Sequence, residues 1–311
     1  MTNDLPRNGS ERDPAGEAER AIDVNAGRRA FVQSLGFGAA GAAVLGVGAG
    51  LTTPTEVRAQ GGPSDTAIFN FALNLEYLEA EFYLRAAFGR GLRDSDTTGN
   101  GRLGPVIGGR KVNFQDEIVR GFAEELAIDE ENHVQFLRQA LGNDRVARPR
   151  IDLAQSFTAA ARAAGLVGPT ETFDPYANDN NFLVAAFIFE DVGVTAYRGA
   201  APLIDSKKLL GAAAGILAVE AYHAGGIRTM MAMRRLFAQA NAISNLRDAA
   251  DGPEKTDEIL GGIQRVNIVP TNQNSIVFER TPRQVLDVVY LDRGANEGGF
   301  FPNGVNGRID G

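Results

Sequence analysis

The feature that most constrains this chain is a pair of Glu-x-x-His motifs. The sequence contains two histidines, and each follows a glutamate by three positions, as Glu130 with His133 and Glu220 with His223. Residues three positions apart lie on the same face of an α-helix. A carboxylate and an imidazole side by side on one face can bind the same metal ion. The two motifs therefore predict two helices whose inner faces carry metal ligands.

Hydrophobic periodicity predicts the helices around these motifs. Apolar residues recur at helical spacing in four long stretches, two of which contain the motifs. Thr281, Pro282 and Gln284 form a good start for a further short helix, with a capping residue, a first-turn proline and a glutamine at the third position. The long helices are expected at about 65–88, 113–141, 181–200 and 206–240, and short ones at about 152–164 and 282–291.

The order of these elements predicts an all-α fold. The expected fold is a four-helix bundle with a long crossover between helices two and three and an irregular C-terminal extension. The connection 143–179 is long enough to carry the chain back along the bundle. After Asn241 the helical period is lost, which predicts extended wrapping segments. The expected domains are a targeting segment at 1–59, the bundle at 60–240 and a C-terminal wrapping segment with a short helix at 241–311.

Single glutamates lie on the apolar faces of the first and third helices. Glu190 is embedded in an apolar run, where an unpaired carboxylate is costly, so a ligand role is expected for it. In the first helix Glu76 and Glu79 are one turn apart and share a face. Glu76 is the first choice of ligand and Glu79 the next; in the alternative interpretation, one or both lie at the edge of the apolar stripe in contact with water. Tyr197 either hydrogen-bonds near the site or packs.

Helical spacing also predicts which other side chains point inward. On the second helix, Ile118 and Phe122 are expected on the inner face. On the fourth helix, the charges of Arg228, Arg234 and Arg235 fit a face in contact with solvent.

The N-terminal region has the pattern of an export signal. Arg28 and Arg29 precede an uncharged Gly- and Ala-rich run at 34–55, which is followed by the small-residue cleavage pattern Val57-Arg58-Ala59. This arrangement resembles a twin-arginine signal and predicts a periplasmic or secreted protein. A membrane-anchoring helix is the alternative, but the glycines of the run make it a poor anchor, so no stable anchor is expected after cleavage.

Composition excludes several other functions. The chain has no cysteine, which excludes disulfides, thiolate metal sites and a cysteine nucleophile. A net charge of −8 disfavours a nucleic-acid partner. The segment Asp94–Asn100 opens like a calcium-binding loop, yet Pro105 stands where the bidentate glutamate of such a loop is needed. A surface turn explains the same residues.

The motifs together resemble those of the ferritin-like superfamily, in particular its desiccation-related proteins of bacteria and plants. The resemblance extends over the whole chain after the signal. It includes Asn74-Leu75-Glu76, Ala196-Tyr197 and the tail Gly298-Gly299-Phe300-Phe301-Pro302-Asn303-Gly304. It implies a di-metal site, catalytic if the protein is an enzyme. The implied ligands are Glu76 and His133 for one ion, Glu190 and His223 for the other, and Glu130 and Glu220 bridging both.

Two functions follow from this resemblance. The first is an exported oxidoreductase with two Fe or Mn ions, to which Zn could also bind, acting on Fe(II), O2 or H2O2. The second is a non-catalytic stress or desiccation protein that keeps the bundle. An iron-storage cage is weaker, because the C-terminal segment and the loop at 89–113 would obstruct a closely packed shell. A homo-oligomer is compatible with the sequence, which fixes neither the metal nor the substrate.

Overall fold

A computed structural model describes residues 62–252 and 259–309 of this chain. The all-α fold class is confirmed, and the short strands are two residues each. The helices are α1 (Asp65–Phe88), α2 (Glu117–Leu141), α3 (Gln155–Ala163), α4 (Asp179–Ala200), α5 (Lys207–Met233), α6 (Phe237–Asp251) and α7 (Pro282–Tyr290). The predicted export signal lies outside the described residues.

The bundle is built from two helix pairs. Helix α1 packs mainly on α2 and helix α4 mainly on α5, while α1 also contacts α4 and α2 contacts α5. Helices α1 and α4 are buried on nearly all sides, which explains why their sequences are apolar almost throughout. Helix α3 lies in the crossover between α2 and α4. The long connection predicted from the sequence therefore joins the two helix pairs.

Local sequence signals set the ends of the helices. The Ser64 side chain accepts a hydrogen bond from the backbone of Ala67 and begins α1, and Gly89 ends this helix with a φ of 74°. Asp116 caps α2, so this helix begins slightly later than the sequence predicts. Ile118 in its first turn is 74% exposed, and the prediction that it faces inward is wrong. Val119, the next residue, is 2% exposed, so the inner face of this turn lies one residue later than predicted.

Helix α5 ends earlier than predicted, and a further helix follows it. The chain turns at Arg235, whose φ is 59°, and the backbone of Leu236 donates to Met231 across the turn. Such a left-handed residue after a helix is usually glycine, so the sequence carries no signal for this break. Burial of Leu236 against the core holds it. The expected loss of helical period after Asn241 is therefore wrong, because α6 continues to Asp251.

After α6, the described part of the C-terminal segment contains only α7 and two short strands as regular elements. The predicted capping box at Thr281 and Gln284 is present. Strands β1 (Val106–Ile107) and β2 (Ile151–Asp152) pair in parallel, and β3 (Gly261–Gly262) pairs antiparallel with β4 (Arg265–Val266).

The aromatic tail packs on the bundle. Phe300 and Phe301 are fully buried, and the Phe300 ring lies 5.0 Å from that of Phe157 and 4.9 Å from that of Phe189. Further along, the backbone of Asn306 donates to the side chain of Asn74 on α1. The tail therefore belongs to the same core as the bundle.

Candidate metal centre

Each long bundle helix carries acidic or imidazole side chains into the interior. Helices α1 and α4 each provide one glutamate, and helices α2 and α5 each provide one Glu-x-x-His pair, as the motif spacing predicts. All six residues are buried, each at 8% exposure or less as a whole residue. They are Glu76 on α1, Glu130 and His133 on α2, Glu190 on α4, and Glu220 and His223 on α5.

The first cluster is centred on His133. Its Nδ1 atom lies 3.2 Å from Oε2 of Glu76 and 3.1 Å from Oε2 of Glu130. Oε1 of Glu220 is 3.8 Å from the same nitrogen. One ligand atom from each of these four residues lies within 4.8 Å of the others, which is a spacing that one metal ion can span.

The second cluster is centred on His223 and shares Glu130 with the first. Nδ1 of His223 lies 3.2 Å from Oε1 of Glu130 and 3.4 Å from Oε2 of Glu190. The two oxygens of Glu130 therefore face different histidines, whose ring centroids are 6.5 Å apart. This is the position of a carboxylate that bridges two ions. The structure places Glu220 in the first cluster alone, and its bridging role stays a prediction.

The choice between Glu76 and Glu79 follows from their positions. Glu76 belongs to the first cluster, whereas Glu79 lies in neither cluster although it is buried beside them. A Cβ atom placed on Gly193 would lie 2.2 Å from Oε2 of Glu220 and 3.6 Å from Oε1 of Glu79. Glycine at this position of α4 therefore leaves room for both carboxyl groups.

Two tyrosines hold the single glutamates. Tyr197 donates a hydrogen bond to Oε1 of Glu76, and Tyr83 donates to Oε1 of Glu190. In each case the other oxygen is left facing the cluster. The sequence had left Tyr197 either hydrogen-bonding or packing, and it hydrogen-bonds. Tyr83 was missed, although its place in the apolar stretch of α1, seven residues after Glu76, was a usable signal.

An aspartate next to the first motif was also missed. Oδ2 of Asp129 lies 3.2 Å from Nε2 of His223, the ring nitrogen that points away from the cluster. Asp129 directly precedes Glu130 in the sequence and is buried. A carboxylate in this position fixes the orientation of an imidazole and raises its basicity as a ligand. The sequence did show an additional acidic residue directly before the motif. Helical spacing does not show, however, that Asp129 contacts His223 of the other motif.

Crowded buried charges shift the pKa values of the cluster. Burial raises the pKa of Glu76 to about 7, with nearby His133 opposing the shift. Burial and the neighbouring Glu130 raise the pKa of Glu220 well above its usual range. Burial alone would lower the pKa of His133, but Glu130 and Glu76 raise it to about 10. Without metal, the clusters therefore retain protons at neutral pH.

Several buried atoms of the two clusters have no hydrogen-bond partner within the described chain, and this bears on whether the site fits metal. Among the described residues, six buried cluster atoms have no hydrogen-bond partner: Oε2 of Glu76, Oε1 of Glu130, Oε2 of Glu190, both oxygens of Glu220 and Nδ1 of His223. Buried polar atoms are normally paired, and a cation in each cluster would pair these. The oxygen and nitrogen donors suit Fe or Mn, and Zn is compatible. The residues present therefore fit two metal ions.

Two further expectations concern charged residues away from the clusters. In the segment Asp94–Asn100, Asp96 pairs with Arg93, and no residue of this segment belongs to a group of three or more potential ligands within the described chain. The prediction that Arg228 faces solvent is wrong. It is fully buried, and its guanidinium donates to Asp191 on α4. Helical spacing could not reveal this partner, because Asp191 belongs to another helix.

Comparisons with known proteins agree with this architecture. A family model described as a ferritin-like domain matches residues 64–233. The chain therefore belongs to the ferritin-like domain family. It is 33% identical over 244 residues, 72% of this chain and 76% of the relative, to the desiccation-related protein PCC13-62 of Craterostigma plantagineum. It is 32% identical over 272 residues, 79% of this chain and 85% of the relative, to the ferritin-like catalase Nec2 of Nesocodon mauritianus. No solved structure matches it significantly.

Proposed function

We propose that this protein is an exported di-metal oxidoreductase that consumes hydrogen peroxide. One observation carries the proposal: two adjacent clusters share Glu130 and contain buried acceptor atoms that have no hydrogen-bond partner among the described residues. A purely structural bundle would be more stable with apolar side chains at these positions, because unpaired buried carboxylates are costly. The cost is explained if the carboxylates bind metal.

The metal and the chain contribute different parts of the chemistry. Bound Mn or Fe ions would supply the electron exchange with peroxide. The clusters of His133 and His223 would hold one ion each, with Glu130 between them. Tyr83 and Tyr197 keep the carboxylates of Glu190 and Glu76 turned toward the clusters. The chain therefore fixes the ligands in place before metal binds.

Burial of the clusters restricts the substrate. Each proposed ligand is at most 8% exposed, and His133 is the most accessible of them. A site this enclosed favours a substrate of a few atoms, such as H2O2, over a large organic molecule. The relative named as a ferritin-like catalase supports peroxide as the substrate. Fe(II) with O2 is the second substrate pair that the same ligands would accept.

A protective role without catalysis is the other candidate. Its support is the relative whose name refers to desiccation. Export is part of either proposal and is based on Arg28 and Arg29 before the uncharged run of the N-terminal region. The predicted destination is the periplasm or the cell exterior.

A peroxide assay separates the two candidates. The protein is loaded with Mn(II) or with Fe(II), and H2O2 loss and O2 release are followed together. Dismutation releases one O2 for every two H2O2 consumed. We expect this ratio for the loaded protein and a loss of activity of about 100-fold or more when the two histidines His133 and His223 are both replaced by alanine, since loss of even an outer partner of a ligand typically costs about 10–100-fold. Glu131→Gln is the matched control, since Glu131 lies between Glu130 and His133 in the motif but pairs with Arg90 at the surface.

The assay can also fail in an informative way. If the loaded protein binds two ions but consumes peroxide no faster than the doubly substituted variant, the catalase proposal is wrong. Fe(II) oxidation is then measured under O2 with the same three proteins. A folded protein that is inactive in both assays leaves the non-catalytic candidate.

A further inference from the structure

The two clusters differ in the support given to their histidines. In both, Nδ1 of the histidine faces the carboxylates and Nε2 points away. Nε2 of His223 is held by Asp129 at 3.2 Å. For Nε2 of His133, the described residues provide no hydrogen bond or ion pair. The two imidazoles therefore have different second contacts although their motifs are alike.

The sequence of the two motifs explains this difference. Asp129 is the residue directly before the first Glu-x-x-His motif, and it reaches the histidine of the second. The residue directly before the second motif is Val219. Valine has no atom that can accept a hydrogen bond from an imidazole. The exchange of a carboxylate for an isopropyl group at matching positions makes the pair of clusters asymmetric.

The two histidines also differ in solvent accessibility, and His223 is the more enclosed of the two. The side chain of His133 is 11% exposed and that of His223 is 3% exposed. The Phe122 ring stands edge-on to His223, with ring centroids 6.4 Å apart. Gly226 makes room for this ring, because a Cβ atom there would lie 2.5 Å from Cζ of Phe122. The His223 side is thus covered by an aromatic ring that packs against glycine.

Both differences act on metal binding. A carboxylate that accepts from the outer N–H of a ligating histidine fixes the ring and increases its donor strength, and loss of such a partner typically lowers metal affinity about 10–100-fold. A more enclosed ion also exchanges more slowly with solvent. We propose that the cluster of Glu190 and His223 binds its metal first and retains it, whereas the cluster of Glu76 and His133 binds the exchangeable ion on the accessible side. This inference rests on the proposed di-metal function.

The unaltered protein provides the first test. Metal-free crystals are soaked with one equivalent of Mn(II) per chain, and anomalous scattering gives the occupancy beside each histidine. We expect Mn mainly beside His223, with an affinity ratio of about tenfold or more. Equal occupancy, or more metal beside His133, would overturn the proposal. Absence of Mn from both positions would instead overturn the di-metal function on which it rests.

Substitutions then identify the cause of the difference. In calorimetric titrations with Mn(II), Asp129→Asn should weaken the tighter step about tenfold or more and change the weaker step less than about twofold. Glu131→Gln removes the same charge from the same helix and should leave both steps unchanged. Circular dichroism shows whether each variant is folded. Equal weakening of both steps by Asp129→Asn, or the same weakening by Glu131→Gln, would show that the effect is only general electrostatics.

Single histidine variants assign the two steps and do not depend on Asp129→Asn folding. His133→Ala should leave the tighter step and remove the weaker one, and His223→Ala should do the opposite. If the ion remaining in His223→Ala binds as tightly as the one remaining in His133→Ala, the two half-sites are equivalent and the proposal is wrong.

Discussion

Glu190 and Asp191 are neighbours in the sequence and are both buried on α4, yet they belong to opposite kinds of environment. Glu190 faces the two clusters of potential metal ligands, where one of its oxygens has no hydrogen-bond partner among the described residues. Asp191 faces α5 and α6, where Arg228 and Arg247 contact it at 2.7 and 2.8 Å. Two arginines of the protein neutralise Asp191, whereas Glu190 keeps one oxygen that could bind an external cation.

The pKa values show the same contrast. Burial raises the pKa of Glu190, and His223 opposes the shift only in part. Burial would also raise the pKa of Asp191, but Arg228 and Arg247 outweigh it and lower the pKa. Both guanidinium groups also lie over the Phe187 ring, at 5.1 and 4.6 Å from its centroid. Buried charge stabilises a fold when its counter-charge is built in, and provides a binding site when it is not.

The largest expected effect is the loss of stability when Asp191, the carboxylate paired with two arginines, is replaced. Asp191→Ala leaves two buried arginines without their carboxylate and should lower the free energy of unfolding by about 3–5 kcal/mol. Glu190→Gln in the metal-free protein removes one of several repelling charges and should change the free energy of unfolding by less than about 1 kcal/mol. Urea unfolding of both metal-free variants measures the difference. Equal losses would mean that the two carboxylates do not differ as described.

The second effect is the response of the metal-free protein to pH. The folded state raises the pKa of His133 from 6.5 to about 10 and that of Glu76 from 4.5 to about 7. A raised pKa stabilises the fold below the unfolded value, and this contribution is lost as pH rises through the folded value. The melting temperature should therefore fall between about pH 5 and 9.5. Loading with metal should remove most of this decline, and a metal-free protein that gains stability over this range would contradict the account.

The third effect is stabilisation by metal itself. An ion that binds only the folded state at 100 times its dissociation constant adds about 2.7 kcal/mol, or roughly 5–10 °C in melting temperature for a domain of this size. Mn(II) should produce this rise in the unaltered protein, as calorimetric scans would show. Glu130→Gln, which alters the residue shared by both clusters, should remove most of it. An unchanged melting temperature across the titration would count against the site.

The smallest effect is expected for the tyrosines. Tyr83→Phe and Tyr197→Phe each remove one hydrogen bond to a buried carboxylate and should cost about 1–2 kcal/mol in the metal-loaded protein. Each variant should also bind metal less tightly at its own cluster, Tyr83→Phe beside Glu190 and Tyr197→Phe beside Glu76. Titration with Mn(II) would detect this. Weakening of the wrong cluster would contradict the contacts assigned to these hydroxyl groups.

Much of this arrangement could be predicted from the sequence, because it depends on local periodicity. The spacing of Glu130 with His133 and of Glu220 with His223 places each pair on one helix face. The apolar surroundings of Glu190 made an inward carboxylate recognisable. These inferences need only the helical repeat and the cost of burying an unpaired charge.

The errors and omissions concern contacts between segments distant in sequence. Arg228 looked like a solvent-facing charge because its partner Asp191 is 37 residues away. Asp129 supports a histidine 94 residues away, so its role could not be read from its own helix. The end of α5 was missed because Arg235 adopts a left-handed conformation although no glycine stands there. The packing of Leu236 against the core holds this conformation. Tertiary packing decides such features.

The central claim is that the unpaired carboxylates and histidines of this bundle form a di-metal site. The most direct measurement is elemental analysis of the purified protein, expressed as metal per chain. The account predicts about two Fe or Mn per chain, before or after reconstitution, and a large loss when both His133 and His223 are replaced by alanine. Little metal, even after reconstitution with Fe(II) or Mn(II), would mean that these ligands do not bind metal together and would contradict the account.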